Sequence, residues 1–208
     1  MCGIAGIWQL NNEPLAEQKL QRFTNTLEHR GPDGFGFYID KKSCLGLGHR
    51  RLSILDLSEA GKQPMSFADA RYWISYNGEI FNFIELKSEL KSKGYAFKTE
   101  TDTEVILAAY HYWGTDALPR FNGMWAMAIW DTYEQKLFLA RDRFGIKPLY
   151  YLYIPDSLFA FASETIAFKN LEGYQRTFDE KNVGLQLEDS TALEGIGYTI
   201  FQNIFQLL

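Results

Sequence analysis

Two cysteines and three histidines are all that 208 residues contain of those types, and each scarcity narrows what the chain does. Cys2 and Cys44 can form at most one disulfide, and a chain of this length buries enough surface to fold without one. A disulfide scaffold is therefore excluded, and a reducing, cytoplasmic setting is expected. His29, His49 and His111 lack the spacing of a metal site, so no metal ligands are expected and the histidines read as structural. No apolar run approaches the roughly 20 residues that cross a bilayer. The apolar start has no basic lead-in and meets Gln9, Asn11, Asn12 and Glu13 at once, which argues against a secretory signal and a membrane partner. Basic residues are outnumbered 26 to 21 by acidic ones, giving a net charge of -5, so a nucleic-acid partner is not expected. "LGLGHRR" holds Gly46 and Gly48 at phosphate-loop spacing but places Arg51 where a third glycine belongs, and no G-x-x-x-x-G-K-S/T occurs.

What is present is the material of a globular chain, 46% hydrophobic and 16% aromatic, enough for one large domain or a domain with a tail. "CGIAGIW", "GFGFYI", "CLGLGH" and "RYWISYN" run or alternate apolar as strands do. Between the first two, "LAEQKLQRFTNTLEHRG" spaces Leu20, Phe23 and Leu27 on one helical face and stops at Gly31-Pro32. "FNFIELKSELKSKG", with Phe83, Leu86 and Leu90, and "TEVILAAYHYWG", with Val105, Ala109, Tyr110 and Trp113, predict two further helices. From Gly123 onward "GMWAMAIWD", "KLFLARD", "PLYYLYI" and "SLFAFASE" are strands separated by turn-sized gaps. The first is apolar on both alternating sets, so both faces of its sheet are covered. Two stacked, mainly antiparallel sheets with helices outside follow, an α+β layered architecture. Beyond about Phe168 charge and scattered apolar residues mix, and the apolar run "IFQNIFQLL" is expected to be cut within or just before something it packs against.

The position of Cys2 carries chemistry. Once Met1 is removed, which the small second residue permits, the thiolate and a free α-amine sit on one residue. With a reference pKa near 8, that amine is a base poised for neutral pH. "YNGEIFN" joins a strand to a helix, and Asn77 and Gly78 there offer a side-chain amide and a backbone N–H suited to an oxyanion. A plain Asn-Gly turn is the alternative. Glu79 reads either as a site carboxylate or as helix-dipole compensation. Alternation sends Arg50 and Arg51 to opposite faces, so one can fork onto a substrate carboxylate while the other faces solvent or an internal acid. Asp102 precedes a helix, where its plain role is an N-cap, with Glu104 in the first turn. Arg141, Asp142 and Arg143 read as an internal ion-pair network, and Trp125, Trp130, Tyr150 and Tyr151 as packing residues.

Taken together in order, "MCGIAGIW", "HRGPDG", "GHRRLSILDLSEAGKQPM", "YNGEIFN", "TDTEVIL", "FNGMWAMAIWD", "ARDRFGIKPLYY" and "FASE" resemble the glutaminase domain of class II glutamine amidotransferases. These are N-terminal-nucleophile hydrolases, and the likeness is to the asparagine synthetase type because no "HTRWATHG"-like stretch occurs. The resemblance covers Met1 to about Glu164. It implies a four-layer αββα fold, with 2–164 as the glutaminase domain and 165–208 as a linker and truncated lead-in to an ATP-dependent synthetase domain. It implies that Cys2 is the nucleophile, that Asn77 and Gly78 form the oxyanion hole, and that Arg51 grips the α-carboxylate of glutamine while Glu79 and Asp102 hold its α-ammonium. No cofactor is implied for this segment; ATP and Mg²⁺ belong to the synthetase half, whose S-G-G-x-D-S loop is not found here. Glutamine and that half are the implied partners, with a homodimer possible. The same glutaminase feeding a sugar or natural-product acceptor, or a degenerate binding module, stays open as an alternative.

Overall fold

The computed structural model describes residues 1–52, 61–174 and 198–202. The first sheet holds β1 (Gly3–Gln9), β2 (Gly34–Asp40), β3 (Leu45–Arg51), β8 (Tyr150–Ile154) and β9 (Leu158–Ala162), in the order β2-β3-β1-β9-β8. The second holds β4 (Met65–Phe67), β5 (Tyr72–Ile80), β6 (Gly123–Asp131), β7 (Lys136–Arg141) and β10 (Tyr198–Gln202), in the order β10-β7-β6-β5-β4. All these strand pairings are antiparallel. The three-residue β4 and the edge strand β10 are additions to the strands expected from the sequence. Residues 53–60, within the "RLSILDLSEAGKQPM" stretch, lie outside the described residues.

The layering follows from which set of alternating side chains each neighbour takes. Ile4, Leu45, Leu47, Ala126, Ala128, Trp130, Leu137, Phe159 and Phe161 meet between the sheets. Each such large side chain contributes roughly 1.5–3 kcal/mol when fully buried. The other face of the first sheet takes α1 (Glu17–Asn25) through Leu20 and Phe23. The other face of the second takes α2 (Phe83–Ser92) and α3 (Asp102–Trp113) through Leu86, Leu90, Val105 and Ile106. The result is the expected αββα stack.

The glycines of "LGLGHRR" serve this packing. A Cβ at Gly46 would lie 2.7 Å from the tips of Leu15 and Leu20, and one at Gly48 2.0 Å from Thr24 Oγ1. α1 therefore rests on bare backbone, and the phosphate-loop-like spacing has a steric cause.

Several local readings are corrected. "YNGEIFN" does lead from a strand to a helix, but the junction lies beyond Ile80: Asn77 and Gly78 are inside β5, paired with Ala126 and Trp125, and form no turn. The α3 N-cap is Thr101, whose side chain accepts from the Glu104 N–H at 3.4 Å; Asp102 is the first helical residue. Glu104 accepts the backbone N–H groups of Lys98 and Thr99. Asp142 accepts backbone N–H bonds from Trp125, Phe144, Ile146 and Lys147 in place of guanidinium contacts. Arg141 donates to the carbonyls of Lys147 and Gly145, and Arg143 to that of Pro119, so the expected ion-pair network is a set of backbone clamps. Trp125 and Trp130 are buried as expected, whereas Tyr150 and Tyr151 on the edge strand β8 are 43% and 64% exposed. Thr165–Asn170 form a 3-10 turn whose Ala167 and Phe168 join the α1 side of the core. Both cysteines are free. No helix among the described residues is long and apolar enough to cross a membrane.

Candidate active site

Cys2 precedes β1, the central strand of the first sheet, and is fixed from both sides. Arg30 Nε donates to the Cys2 carbonyl at 3.0 Å while its Nη1 bonds Glu164 at 2.8 Å, and Glu164 also meets His29 Nε2 at 2.9 Å. Burial opposes ionisation of Glu164, but the hydrogen bonds from Arg30 and His29 prevail and hold its pKa below the ordinary glutamate value. Two residues on, Ile4 and Ser163 exchange hydrogen bonds, tying β1 to the segment that follows β9. The thiol lies against residue 52: Leu52 N–H donates to Sγ at 3.4 Å, and Sγ is 3.6 Å from the Leu52 carbonyl. A backbone donor at this distance can serve a sulfur anion.

Alternation then assembles the site. Gly3 pairs with Arg50 and Ile4 with His49, so Cys2 shares the inter-sheet face with His49 and Arg51. Arg50 points the other way, bonded to Asn25 at 2.9 Å and stacked over Phe35. The question of which arginine faces the site is thereby answered: Arg51 does. A cleft of about 100 Å³ is walled by Cys2, His49, Arg51, Gln63, Tyr76, Gly78 and Asp102, with Leu52, Gly61, Thr101 and Thr103 completing it.

Tyr76 is the hub of the second sheet's contribution. Its N–H donates to Gln63 Oε1 at 2.6 Å, its carbonyl accepts from His49 Nε2 at 3.1 Å, and its hydroxyl donates to Asp102 Oδ2 at 2.8 Å. Asp102 also accepts the Ile80 N–H at 3.0 Å. Burial pushes the Asp102 pKa up, against these hydrogen bonds, and the charge of Glu79 adds to the rise. Glu79, two strand positions past Asn77, thus acts on Asp102 electrostatically without forming part of the cleft wall. Gly78 has no room for a side chain: a Cβ would lie 2.4 Å from the Met124 carbonyl oxygen and 2.7 Å from Trp125 Cα. Asn77, 2% exposed, is outside the cleft wall, with its amide nitrogen buried and without a partner among the described residues. A buried donor left unpaired costs about 1–3 kcal/mol, which a bound acceptor, water or substrate, would recover.

Of the six candidate residues, four wall one cleft: Cys2, Arg51, Gly78 and Asp102. Asn77 and Glu79 stand next to Gly78 on β5. Sequence reasoning missed Gln63 and Tyr76 and read His49 as merely structural; the "GHRR" alternation that singled out Arg51 also places His49 beside it. Among the described residues no group of three or more His, Cys, Asp and Glu side chains converges to hold a metal ion.

His49 also sets a pH dependence. Burial lowers its pKa to about 4, the Arg51 charge adding to the fall and the bond to Tyr76 opposing it. Between pH 6.5 and 4 the unfolded chain then binds a proton that the folded one does not. The stability associated with a neutral His49 is complete above pH 6.5 and is lost progressively as pH falls toward 4, by about 3 kcal/mol in all. Denaturant titrations of wild type and His49→Gln across that window check this: the wild type is expected to show the extra slope and the variant to lack it.

A family model described as a glutamine amidotransferase domain matches residues 1–208. The chain therefore belongs to the glutamine amidotransferase domain family, whose members are enzymes. Among curated proteins it is 47% identical over 169 residues to asparagine synthetase [glutamine-hydrolyzing] 1 of Bacillus subtilis, covering 79% of this chain and 26% of that one. It is 37% identical over 223 residues to the putative asparagine synthetase [glutamine-hydrolyzing] 2 of Methanocaldococcus jannaschii, covering 100% of this chain and 42% of that one. The chain thus spans well under half the length of these relatives. Among solved structures, glutamine phosphoribosylpyrophosphate amidotransferase from B. subtilis superposes with a TM-score of 0.69 at 24% identity, over 81% of this chain and 43% of that one. This likeness shows the fold: two stacked antiparallel sheets with helices outside.

Proposed function

We propose that this domain hydrolyses glutamine to glutamate and ammonia, and that within its parent protein the ammonia serves ATP-dependent synthesis of asparagine from aspartate. The observation that carries the first part is the convergence of Cys2, Arg51, Gly78 and Asp102 on one cleft, with the unpaired Asn77 amide behind it. The second part rests on the relatives' names and their greater length. ATP and Mg²⁺ are assigned to the synthetase half of the parent, and no step below draws on them.

The chemistry begins with removal of Met1, which is 54% exposed. The freed α-amine of Cys2 takes the thiol proton. Arg51 pairs with the α-carboxylate of glutamine, while Asp102, aided by Glu79, pairs with its α-ammonium, and this double grip lays the side-chain carboxamide against Sγ. Sulfur attacks the carboxamide carbon, and the negative charge that gathers on oxygen is met by Asn77 Nδ2–H and the Gly78 N–H. The C–N bond breaks as the α-ammonium of Cys2 returns the proton to nitrogen, releasing ammonia. Water, deprotonated by the same amine, cleaves the γ-glutamyl thioester and regenerates the thiol.

Arg51 tests the binding half of this account. A charge-assisted hydrogen bond contributes roughly 1.5–3 kcal/mol, so Arg51→Ala is expected to raise KM for glutamine about ten- to a hundredfold, with kcat changed several-fold at most. An ammonia-release assay over a range of glutamine concentrations reads both constants. An unchanged KM would remove Arg51 from the substrate site.

A further inference from the structure

His49 brings to the cleft a second buried polar atom without a partner among the described residues. The ring is 1% exposed, and its Nε2 lies 3.1 Å from the Tyr76 carbonyl, which can only accept. Nε2 therefore carries the proton, and Nδ1 is left as a lone pair, buried and unpartnered. With a pKa near 4 from burial, the ring stays neutral at physiological pH and that lone pair persists. His49 pairs with Ile4 across the β1–β3 ladder, which makes it the diagonal cross-strand neighbour of Cys2, some 7–8 Å away between Cα atoms. The residue after Tyr76 is Asn77, whose amide nitrogen is the matching unpaired donor. One sheet thus offers an orphan acceptor, on a residue that lines the cleft with Cys2, and the other an orphan donor next to the cleft-lining Tyr76 and Gly78.

A primary carboxamide has the complementary pattern: an oxygen that accepts and an NH₂ that donates. We propose that His49 Nδ1 accepts a hydrogen bond from the carboxamide NH₂ of the substrate, so that His49 and Asn77 together read the two ends of the amide. This rests on the glutaminase reading above and extends it to the choice between amide and acid. In glutamate the NH₂ is replaced by a second carboxylate oxygen, which meets the imidazole lone pair with like polarity. The product is therefore repelled where the substrate is held. With one N–H fixed on Nδ1, the departing nitrogen is also oriented for the proton it must receive as the C–N bond breaks.

The test compares wild-type protein lacking Met1 with His49→Gln, on glutamine and on glutamate γ-ethyl ester, which keeps the carbonyl but has no amide N–H. Glutamine in place of the ring retains a donor toward the Tyr76 carbonyl, while its own acceptor, Oε1, branches from Cδ and does not stand where Nδ1 stood. Losing one neutral hydrogen bond is expected to lower kcat/KM for glutamine about five- to tenfold more than for the ester, and to make glutamate a stronger inhibitor. Equal losses on both substrates, or none, would overturn the proposal and leave the glutaminase reading intact. Wild-type protein that cleaves neither substrate would bring down both. A second readout does not depend on the folding of His49→Gln: in a Cys2→Ala protein labelled with ¹⁵N-histidine, the His49 Nδ1 resonance is expected to move upfield when glutamine is added. A resonance that stays put with glutamine bound would overturn the proposal by itself.

Discussion

Cys2→Ala is expected to release ammonia from glutamine at least about a thousandfold more slowly than wild type, while remaining folded and still binding glutamine. The size follows from what is removed: without sulfur no thioester forms, and only orientation and oxyanion stabilisation remain. Binding survives because Arg51 and Asp102, which read the far end of glutamine, are untouched. A protein carrying an uncleavable N-terminal extension is expected to fail as badly with the thiol intact, since a peptide nitrogen cannot take the thiol proton. Ammonia release and calorimetric glutamine binding on the two proteins check both arms. Wild-type-like turnover by either would contradict the mechanism.

The second large effect is at Asn77. Removing one oxyanion donor typically costs 10²–10³ in kcat, and Asn77→Ala is expected to lose about that much, with KM for glutamine nearly unchanged. Stability is expected to fall by no more than the packing of one small buried side chain, because the amide nitrogen that disappears has no partner among the described residues. Steady-state kinetics with denaturant melts of the same preparation separate the two. A variant that lost activity in proportion to its stability would mark Asn77 as a packing residue.

How much of this was legible in the sequence depends on how local each signal is. The long strands and all three helices could be read because period 2 and period 3.6 are written in neighbouring residues, as in "GMWAMAIWD" and in Leu20–Phe23–Leu27. β4, three residues long, is too short to show a period; its place is set by its pairing with Tyr72–Ile74. Asn-Gly carries a turn signal strong enough to hide that β5 runs straight through it to Ile80; what overrides the signal is the ladder with β6, a tertiary fact. The plain alternative for Asp102, an N-cap, follows from the preference of Asp for that position, yet Thr101 takes it and leaves the Asp102 carboxylate for Tyr76 and Ile80.

The site shows the same division. Cys2, Asn77, Gly78, Arg51, Glu79 and Asp102 were reached through ordered motifs. The residues that hold them were not: Gln63, Tyr76 and Arg30 act through contacts 13 to 134 residues apart in the chain, to which no spacing rule applies. His49 was within reach, one alternation from Arg51, but a lone histidine in an apolar strand reads as core until its second nitrogen is seen to lack a partner.

The central claim is that the mature chain begins with a cysteine whose own amine activates its sulfur toward glutamine. The most direct measurement is mass spectrometry of the purified protein before and after treatment with 6-diazo-5-oxo-norleucine, an electrophilic glutamine analogue. The account predicts a chain lacking Met1 and one covalent adduct, on the peptide that begins Cys2-Gly3, with excess glutamine protecting it. A chain that keeps Met1 yet hydrolyses glutamine, or an adduct carried by Cys44, would contradict it.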